Sequence, residues 1–576
     1  MIEKSTPVSD ILAGPTASVR AARGSELRAK NWRAEALLRM FENVLEVGED
    51  PVALVIYASL GKAARNWDQA KAIVRALLEL EEEQTLVLQT GAAIGVMQTG
   101  KNAPMVISAV NNTVGVWATP ERFYARLASG DTIWGGLTAA AWQYIGRQGV
   151  LCGTYELLRT IGMRHCGGAN HEAMAHRWML TAGLGGMGSS QPISAAMLGL
   201  SSLTVEVDPA KLHKLHAAGG IDRMTDDLDE ALATVMSAAQ DGRTVAVGLK
   251  GNAADVFPEI RRRGIVPTIV TDQTAAHDAR YGYLPSGIAL EDWAAYREAH
   301  PQELEDRAKA SMAVQVEAML AFQEAGAIVF ENGNNLRVQA LEYLGHDQAE
   351  RVYRIPGFMP EYLRPLFSRG IGPFRWIALS GDERDLEQVD QLAATLFPKR
   401  PEVAEWIELA RRHIPTQGLP ARSCWLGHGE RSLIARETNR LVASGHISAP
   451  ILFSRDHLDS AGMTHPRIGT EAMKDGSDGV TDWPILDSML LSASGADLVA
   501  VHSGGGGYSG WMQSAGVSVV ADGSTEAEQR ICQVLDLDTG LGVLRYATAG
   551  YEEARHSVAV GGETGNAPLK QINVEE

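Results

Sequence analysis

The feature that most constrains the fold is a glycine-rich segment, TAGLGGMGSSQP, at residues 181–192. It follows an apolar run that predicts a strand and precedes a pattern that predicts a helix. Gly183, Gly185 and Gly188 have the GxGxxG spacing of a dinucleotide-binding loop. Glycine there permits a sharp turn, close approach of the backbone to a pyrophosphate, and tight packing of the helix on the sheet. Glu206 stands about 20 positions further on, where an acidic residue would hold a ribose. The alternative is a glycine turn that only eases strand-to-helix packing.

The surrounding sequence has the texture of an α/β protein. After the loop, the predicted strands TVAVGLKG and PTIVTDQ alternate with the predicted helices TDDLDEALATVMSAAQDG and NAADVFPEIRRRG. This alternation predicts a parallel sheet with right-handed crossovers. From about Gly357, glycine-rich turns that carry Arg, Asp and His alternate with short apolar runs, which is typical of site loops. After about Tyr551 we expect a helix end and a loose terminus.

Charge and composition narrow the classes of function. The chain has 576 residues and a formal net charge of −18, which argues against nucleic acid or an acidic membrane face as the main partner. It shows no membrane-spanning apolar run and no secretory signal, and its four cysteines lie far apart, so we expect a cytoplasmic protein. No motif predicts a metal site or a serine nucleophile.

Several long stretches resemble the urocanase (urocanate hydratase) family. They include RWMLTAGLGGMGSSQP, TDQTAAHD, GYLPSG, PEYLRPLFSRGIGPFRWIALSGD, GLPARSCWLGHGER and RDHLDS, and the similarity runs from about Ala29 to Tyr551. The resemblance implies an α/β fold in which a Rossmann-like NAD-binding domain, residues 149–350, is inserted into a core domain formed by residues 1–148 and 351–576. It also implies a homodimer.

The implied activity explains why a hydratase would carry a dinucleotide loop. Urocanases add water to the imidazole-propenoate urocanate and give imidazolonepropionate. They bind NAD tightly and use it as an electrophile, with no net redox change. A positively charged pyridinium is an electron sink that the protein need only position.

The resemblance also implies a set of cofactor contacts. These fall on Gly186, Met187, Gly188, Glu206, Asn252, Ala253, Gln273, Thr274, Ala275, Ala276, His277, Tyr283, Leu284 and Gly506. For His277 and Tyr283 the alternative is simple packing at a domain interface.

Candidate catalytic residues come from the same matches. Tyr57 is expected to hydrogen-bond the attacking water or the ring, unless its hydroxyl only faces solvent. Asp456 is the candidate proton carrier, and Asp459 could exchange roles with it. His457 would orient an aspartate or cap a turn. Cys424 matches a cysteine near the nicotinamide, although a buried cysteine is often only a small apolar side chain.

Arg369 matches the arginine that holds the substrate carboxylate, a task that suits the guanidinium fork. Its alternative is a structural ion pair with Asp382 or Glu383.

Departures from the family pattern cluster in the loops expected near the substrate. Three of them remove bulk or polarity: Gly136 replaces a glutamine, Ala92 and Ala93 lack a lysine, and Ile468 replaces an arginine for which Arg467 could compensate. The other departures are Ser368 for cysteine, Ala58 and Ser59 for two glycines, Asn332 for tyrosine, and the new Ser503 and Tyr508.

A site that loses these groups should accept a larger, less polar ring substituent. We therefore expect a modified urocanate: S-methyl thiourocanate or thiourocanate, from ergothioneine breakdown, or an N-methyl urocanate. The alternatives are urocanate itself, as in histidine catabolism, an NAD-dependent dehydrogenase, and a catalytically inactive NAD-binding protein.

Overall fold

The computed structural model describes residues 9–57, 60–504 and 508–572, and the chain divides into two compact units. The first unit combines residues 1–149 with 365–576, and the second is the intervening stretch 150–364. The predicted α/β class is confirmed, with helices alternating with strands and a parallel sheet in the inserted stretch. Within the described ranges, no helix is both long enough and apolar enough to cross a membrane.

Strands occur in both units. Over the described ranges they are β1 (Val55–Tyr57), β2 (Gly61–Lys62), β3 (Gln84–Gln89), β4 (Ala92–Gln98), β5 (Val106–Val110), β6 (Trp178–Ala182), β7 (Ser201–Glu206), β8 (Arg223–Thr225), β9 (Ala246–Lys250), β10 (Ile269–Val270), β11 (Ile328–Val329), β12 (Gly372–Ala378), β13 (Ala421–Leu426), β14 (Ile451–Arg455), β15 (Met463–Thr464), β16 (Leu498–His502) and β17 (Gln513–Ala521).

Helices account for much of the rest. Over the same ranges the α-helices are α1 (Trp32–Glu46), α2 (Trp67–Glu79), α3 (Pro120–Ser129), α4 (Gln148–His165), α5 (His171–Met174), α6 (Ser190–Met197), α7 (Pro209–Ala217), α8 (Leu228–Gln240), α9 (Ala253–Arg262), α10 (Leu290–Ala299), α11 (Pro301–Glu324), α12 (Leu336–Leu344), α13 (Ala349–Val352), α14 (Arg364–Phe367), α15 (Glu383–Leu396), α16 (Pro401–His413), α17 (Glu430–Ala443), α18 (Asp482–Ala493), α19 (Thr525–Thr548) and α20 (Glu552–Val560).

The second unit is built on a parallel sheet with the strand order β11-β10-β6-β7-β9-β8. Every residue of β6 and β7 is buried, as expected for a parallel sheet that helices cover on both faces. The chain leaves β6 towards β7 on one side, while β10 pairs with β6 on the other. This change of direction opens a crevice at the carboxyl ends of β6 and β10, the place where such sheets bind ligands.

The first unit is built on a mixed sheet that joins both ends of the chain. Its order is β13-β12-β14-β17-β16-β5-β3-β4, with β15 paired to β17. The junction is the parallel pairing of β16 with β5, in which Leu498 lies opposite Val106 and His502 opposite Val110. The apolar core beside this sheet contains Phe41 and Leu38 of α1 together with Leu452 of β14. The N-terminal and C-terminal parts therefore fold as one body.

One edge of this mixed sheet gathers the ends of several strands. Arg455, at the end of β14, lies opposite Phe374 near the start of β12, and His502, at the end of β16, lies opposite Ser514 near the start of β17. Residues that follow β14 and β16, or precede β12, are thus delivered to the same edge. We call it the substrate edge because Asp456 and His457, which the sequence analysis predicts to act on the substrate, follow β14 there.

The C-terminal segment differs from the loose terminus expected from the sequence. It forms α20 and then packs: Ala567 is buried, and its carbonyl oxygen lies 3.0 Å from Nε2 of His428. The expectation was wrong for the described residues, because periodicity alone does not reveal a contact made with a residue more than a hundred positions away.

Candidate active site

Tyr57 ends β1, and its phenol is held by Thr138. The backbone N–H and the hydroxyl of Thr138 both donate to the Tyr57 oxygen, each at 3.1 Å. With both lone pairs occupied, the Tyr57 O–H is left as a donor. Desolvation of the phenol raises the pKa of Tyr57 to about 12, and the negative charge of Asp456 adds to this effect. Tyr57 is therefore a neutral hydrogen-bond donor at physiological pH.

Asp456 follows β14 directly and is fixed at both carboxylate oxygens. One oxygen pairs with Nη2 of Arg375, and the other accepts the backbone N–H of His457 at 2.7 Å. Arg375 is buried in β12, while the Asp456 side chain keeps 19% of its surface exposed. A second guanidinium nitrogen of Arg375 donates to the carbonyl of Gln143 at 2.6 Å. The structure thus holds an oriented, accessible carboxylate at the substrate edge.

The His457 ring contacts a second histidine that the sequence analysis did not select. Nε2 of His457 lies 2.9 Å from Nδ1 of His502, with the two rings nearly perpendicular. Both residues are fully buried. The only signal in the sequence was the position of His502 at the end of an apolar run before a glycine loop.

Asp459 belongs to a different network from Asp456. Its carboxylate accepts from Arg431 at 2.7 Å, within a buried group that also contains Arg455, Asp487 and Asp538. Burial raises the pKa of Asp459, and the neighbouring arginines oppose the change. An exchange of roles between Asp459 and Asp456 has no geometric support, because the two carboxylates are committed to different arginines.

Cys424 is likewise separated from the Asp456 carboxylate. In the register of β12 and β13, Cys424 lies opposite Phe374, whereas Arg375 lies opposite Ser423. Side chains alternate between the faces of a strand, so the Cys424 side chain leaves the sheet on the face opposite to Arg375. The structure therefore does not bring Cys424 to the face on which Asp456 is paired.

Arg369 lies between α14 and β12 and pairs with Glu563, which follows α20. Nε donates to Glu563 at 2.8 Å, and Nη2 makes a second, parallel contact. The alternative partners considered from the sequence were wrong, since Asp382 instead pairs with Arg384. The Arg369 guanidinium borders a cavity of about 550 Å³ that is lined mainly by α20.

The remaining predicted substrate residues lie in two loops. Ile468 is buried, and Arg467 lies 3.8 Å from Glu471, so Arg467 already faces an acidic neighbour. Gly136 has a φ of +48°, and a Cβ placed there would lie 3.5 Å from Cζ of Tyr57. Ser368 is fully buried beside Arg369.

The glycine loop of the second unit has the geometry of a nucleotide cradle. Gly183 has a φ of +88°, and a Cβ on Gly183 or Gly188 would overlap backbone atoms. A Cβ on Gly185, by contrast, would meet nothing within 4 Å. Space therefore lies open above the loop, just before the N-terminus of α6, where the helix dipole favours a phosphate.

Glu206, at the end of β7, fits a ribose. Its two oxygens each accept one backbone N–H, from Leu184 at 2.6 Å and from Asp208 at 2.9 Å. A carboxylate oxygen accepts two hydrogen bonds, so each oxygen retains capacity for a hydroxyl. The loop and Glu206 together suit a dinucleotide.

The other predicted cofactor residues lie at the carboxyl end of the same sheet. Gln273 donates from its N–H to the carbonyl of Ala182 at 2.9 Å, which places the segment after β10 beside the glycine loop. Asn252 caps α9, accepting from Ala254 at 2.9 Å, and the Tyr283 hydroxyl donates to Gln315 at 2.9 Å. The remaining members of this group are Gly186, Met187, Ala253, Thr274, Ala275, Ala276, His277 and Leu284.

A buried carboxylate that the sequence analysis did not select orders this segment. Asp272 accepts from Thr274 at 2.6 Å, from Gln315 at 2.8 Å and from Asn334 at 2.5 Å. Burial nevertheless raises the pKa of Asp272 to about 6.

Three of the predicted or departing positions, Gly506, Ala58 and Ser59, lie outside the described residues.

Comparison with protein families assigns nearly the whole chain. The model of the urocanase N-terminal domain matches residues 19–143, that of the urocanase Rossmann-like domain matches 146–362, and that of the urocanase C-terminal domain matches 365–560.

Proposed function

The chain belongs to the urocanase family, a family of urocanate hydratases, and from this premise we propose that it hydrates a urocanate with a substituted imidazole ring. Bound NAD+ would serve as the electrophile, without net redox change. The observation that carries the substrate proposal is the missing side chain at Gly136, directly beside the phenol of Tyr57.

The cofactor proposal rests on the second unit. The glycine loop would hold the pyrophosphate and Glu206 a ribose, because the loop has open space above Gly185 and each Glu206 oxygen keeps a lone pair. When bound, NAD+ supplies a pyridinium that withdraws electrons from a conjugated substrate.

The substrate edge supplies the groups that hydration requires. Tyr57 would donate a hydrogen bond to the attacking water or to the ring, since Thr138 occupies its acceptor sites. Asp456 would carry the proton, since its carboxylate is oriented by Arg375 and remains partly accessible. Arg369 would hold the propenoate carboxylate through its fork, which in this structure holds the carboxylate of Glu563.

The loss of a polar side chain at Gly136 supports a substituted ring over a bare one. The positive φ disfavours any side chain at this position, and a glutamine would also press on Gly61 and Tyr57. Ile468 adds a buried apolar side chain where an arginine was expected. A methylthio or methyl group is the kind of apolar substituent that such a site accepts, and rejection of an unsubstituted ring would be modest, about 10- to 200-fold per methylene-sized group.

Turnover assays test the substrate. Purified protein is given urocanate, S-methyl thiourocanate, thiourocanate and N-methyl urocanates in parallel, and loss of the conjugated chromophore is followed. We expect the highest kcat/KM with a ring-substituted substrate. Rapid turnover of urocanate with no preference for any analogue would contradict the substituted-ring proposal but leave the hydratase intact.

A second measurement tests the cofactor. Denaturing the purified protein should release NAD+ in a stoichiometric amount, and turnover should produce no absorbance at the reduced-nicotinamide band. Growth of that band with substrate would instead identify a dehydrogenase. We further propose that the protein is a cytoplasmic homodimer. Light scattering of the purified protein would test the dimer.

A further inference from the structure

The His457–His502 pair has two free ends. The Nε2–Nδ1 contact uses one nitrogen of each ring, at 2.9 Å. The remaining nitrogens, Nδ1 of His457 and Nε2 of His502, are buried and have no hydrogen-bond partner among the residues described. Buried polar atoms are nearly always satisfied, so two such nitrogens on one pair indicate internal water or a ligand group at each end.

The free end on His502 lies beside an identifiable part of the candidate site. A Cβ on Gly135 would lie 3.4 Å from Cδ2 of His502, the carbon bonded to the free Nε2. Gly135 adjoins Gly136, which lies against Tyr57. Gly516 packs on the Cε1–Nε2 side of the His457 ring, and a Cβ there would lie 3.0 Å from Oε1 of Gln143. That oxygen is another buried acceptor for which the described part of the chain supplies no donor.

Both rings are held neutral. Burial lowers the pKa of His502 to about 3 and that of His457 well below its usual value, and the arginines Arg455 and Arg375 reinforce the effect at His457. In a neutral pair only one of the two facing nitrogens carries a hydrogen. Consequently one free end is always an N–H and the other a lone pair.

We propose that His457 and His502 form a proton relay for the hydratase site, with Nε2 of His502 as the end beside the Gly135–Gly136 turn. A proton enters at the lone-pair end, the hydrogen between the rings crosses to the other ring, and the proton at the far end leaves. Each imidazole ends with its hydrogen on the other nitrogen. One N–H bond forms for each that breaks, so no charge is left in the interior.

The relay is consistent with the chemistry of hydration. Addition of water releases one proton from the water and delivers one to the carbon framework, so no net proton is consumed. The relay would pass a proton in one direction when water loses it and in the other direction when the carbon framework gains one. It therefore returns to its starting tautomer in each turnover. The inference rests on the proposed function, since it assumes that the site adds water.

His502→Asn tests the relay directly. Asparagine can retain the hydrogen bond to His457 through an atom near the position of Nδ1, but it lacks an equivalent of Nε2. We expect kcat to fall about 100-fold, as for loss of a general acid–base group, with little change in KM. His428→Asn is the matched control. This buried histidine has partners at both ring nitrogens, Thr539 at 2.7 Å and Ala567 at 3.0 Å, and its loss should leave the solvent deuterium isotope effect on kcat unchanged.

Chemical rescue separates a relay from packing. In His502→Ala, added imidazole should restore part of kcat in a saturable manner. Thiazole has a similar shape but no N–H, and it should fill the cavity without restoring turnover. Equal rescue by both azoles, or a kcat of His502→Asn within twofold of the unaltered enzyme, would overturn the relay. If neither variant folds, a proton inventory on the unaltered holoenzyme decides: a curved dependence on deuterium fraction supports the relay and a linear one overturns it.

A spectroscopic readout needs no turnover. Nitrogen-15 spectra of histidine-labelled holoprotein should contain two imidazoles that stay neutral from pH 5 to 9 and that disappear in His457→Gln and His502→Asn. An imidazolium signal from either residue would contradict the relay. Failure of the unaltered protein to hydrate any urocanate would refute the proposed function, whereas turnover that is unaffected by His502→Asn would refute the relay alone.

Discussion

The two sheets present their functional edges in different ways. At the carboxyl edge of the parallel sheet, glycines shape the proposed cofactor site: Gly183 and Gly188 admit no Cβ, and space opens above Gly185. At the substrate edge, side chains make the site, and they are held by partners distant in sequence, Tyr57 by Thr138 and Asp456 by Arg375. A site formed by the backbone can be recognised from a short contiguous motif. A site formed by side chains depends on contacts between residues that only folding brings together.

The difference has a consequence for function. A backbone cradle recognises what all dinucleotides share, so it tolerates little change. A side-chain site can alter its specificity by losing single groups, as we propose for Gly136 and Ile468, without disturbing the sheet that carries it. Four changes, taken from the largest expected effect to the smallest, test this contrast.

Asp456→Asn should have the largest effect. Removing the proposed proton carrier is expected to lower kcat about 1,000-fold while NAD content stays close to that of the unaltered protein. Stability should fall by less than in Asp459→Asn, because the Asp456 side chain is partly exposed. Asp459→Asn is the matched comparison: it removes the nearer charge partner of the buried Arg431, which keeps only Asp538 at 3.5 Å, and should instead cost about 3 kcal/mol of stability. Kinetics and denaturant unfolding distinguish them, and a reversed pattern would assign the proton transfer to Asp459.

Gly188→Ala should disable the backbone cradle. The added Cβ would overlap Gly183 O, and overpacking of this kind costs about 1–3 kcal/mol. We expect most of the bound NAD to be lost, as measured by release on denaturation. Gly185→Ala is the control, because its Cβ meets no protein atom within 4 Å and should reduce NAD content without lowering the unfolding free energy. Full NAD content in Gly188→Ala would show that the loop does not carry the cofactor.

Asp272→Asn should change how stability depends on pH. Burial raises the pKa of Asp272 from 3.8 to about 6, so between these values the folded state binds more protons than the unfolded state. The unfolding free energy of the unaltered protein should therefore fall, relative to the variant, as pH rises through this window, by about 3 kcal/mol in total. Denaturant unfolding at pH 4, 5, 6 and 7 measures it. Parallel curves for the two proteins would mean that burial does not raise the pKa of Asp272.

Glu563→Gln should have the smallest effect. It removes the charge that Arg369 holds in this structure, so the guanidinium fork becomes available and KM should fall about two- to fivefold, within the roughly 1 kcal/mol of a half-exposed ion pair. Glu553→Gln, on the same cavity but without an ion pair to Arg369, should leave KM unchanged. An increase of KM in Glu563→Gln would show that Glu563 positions Arg369 rather than competing for it.

Much of the fold was predictable because it is local. The hydrophobic periodicity and the glycine turns predict a strand before Gly183, a helix after it, and alternating strands and helices up to β10. The structure contains all of these elements. The packed C-terminal segment was not predictable, because Glu563 and Ala567, which follow α20, contact Arg369 and His428 far away in sequence.

The candidate site divides in the same way. Tyr57, Asp456 and Arg369 were selected from short motifs, but their partners Thr138, Arg375 and Glu563 lie 81, 81 and 194 positions away. Nothing in either local stretch marks such a pair. Cys424 is the opposite case, because its local motif matches the family although its side chain does not reach the candidate site. The pleat of β13 directs that side chain to the face opposite to Arg375.

The sequence by itself determined the parallel sheet, its glycine cradle and the family, because each is encoded in contiguous residues whose sterics and periodicity act locally. Only the tertiary structure decided which charged side chains form ion pairs and which face of the sheet each side chain lies on. Those outcomes depend on the register of strands drawn from both ends of the chain, and register is fixed by the packed core as a whole.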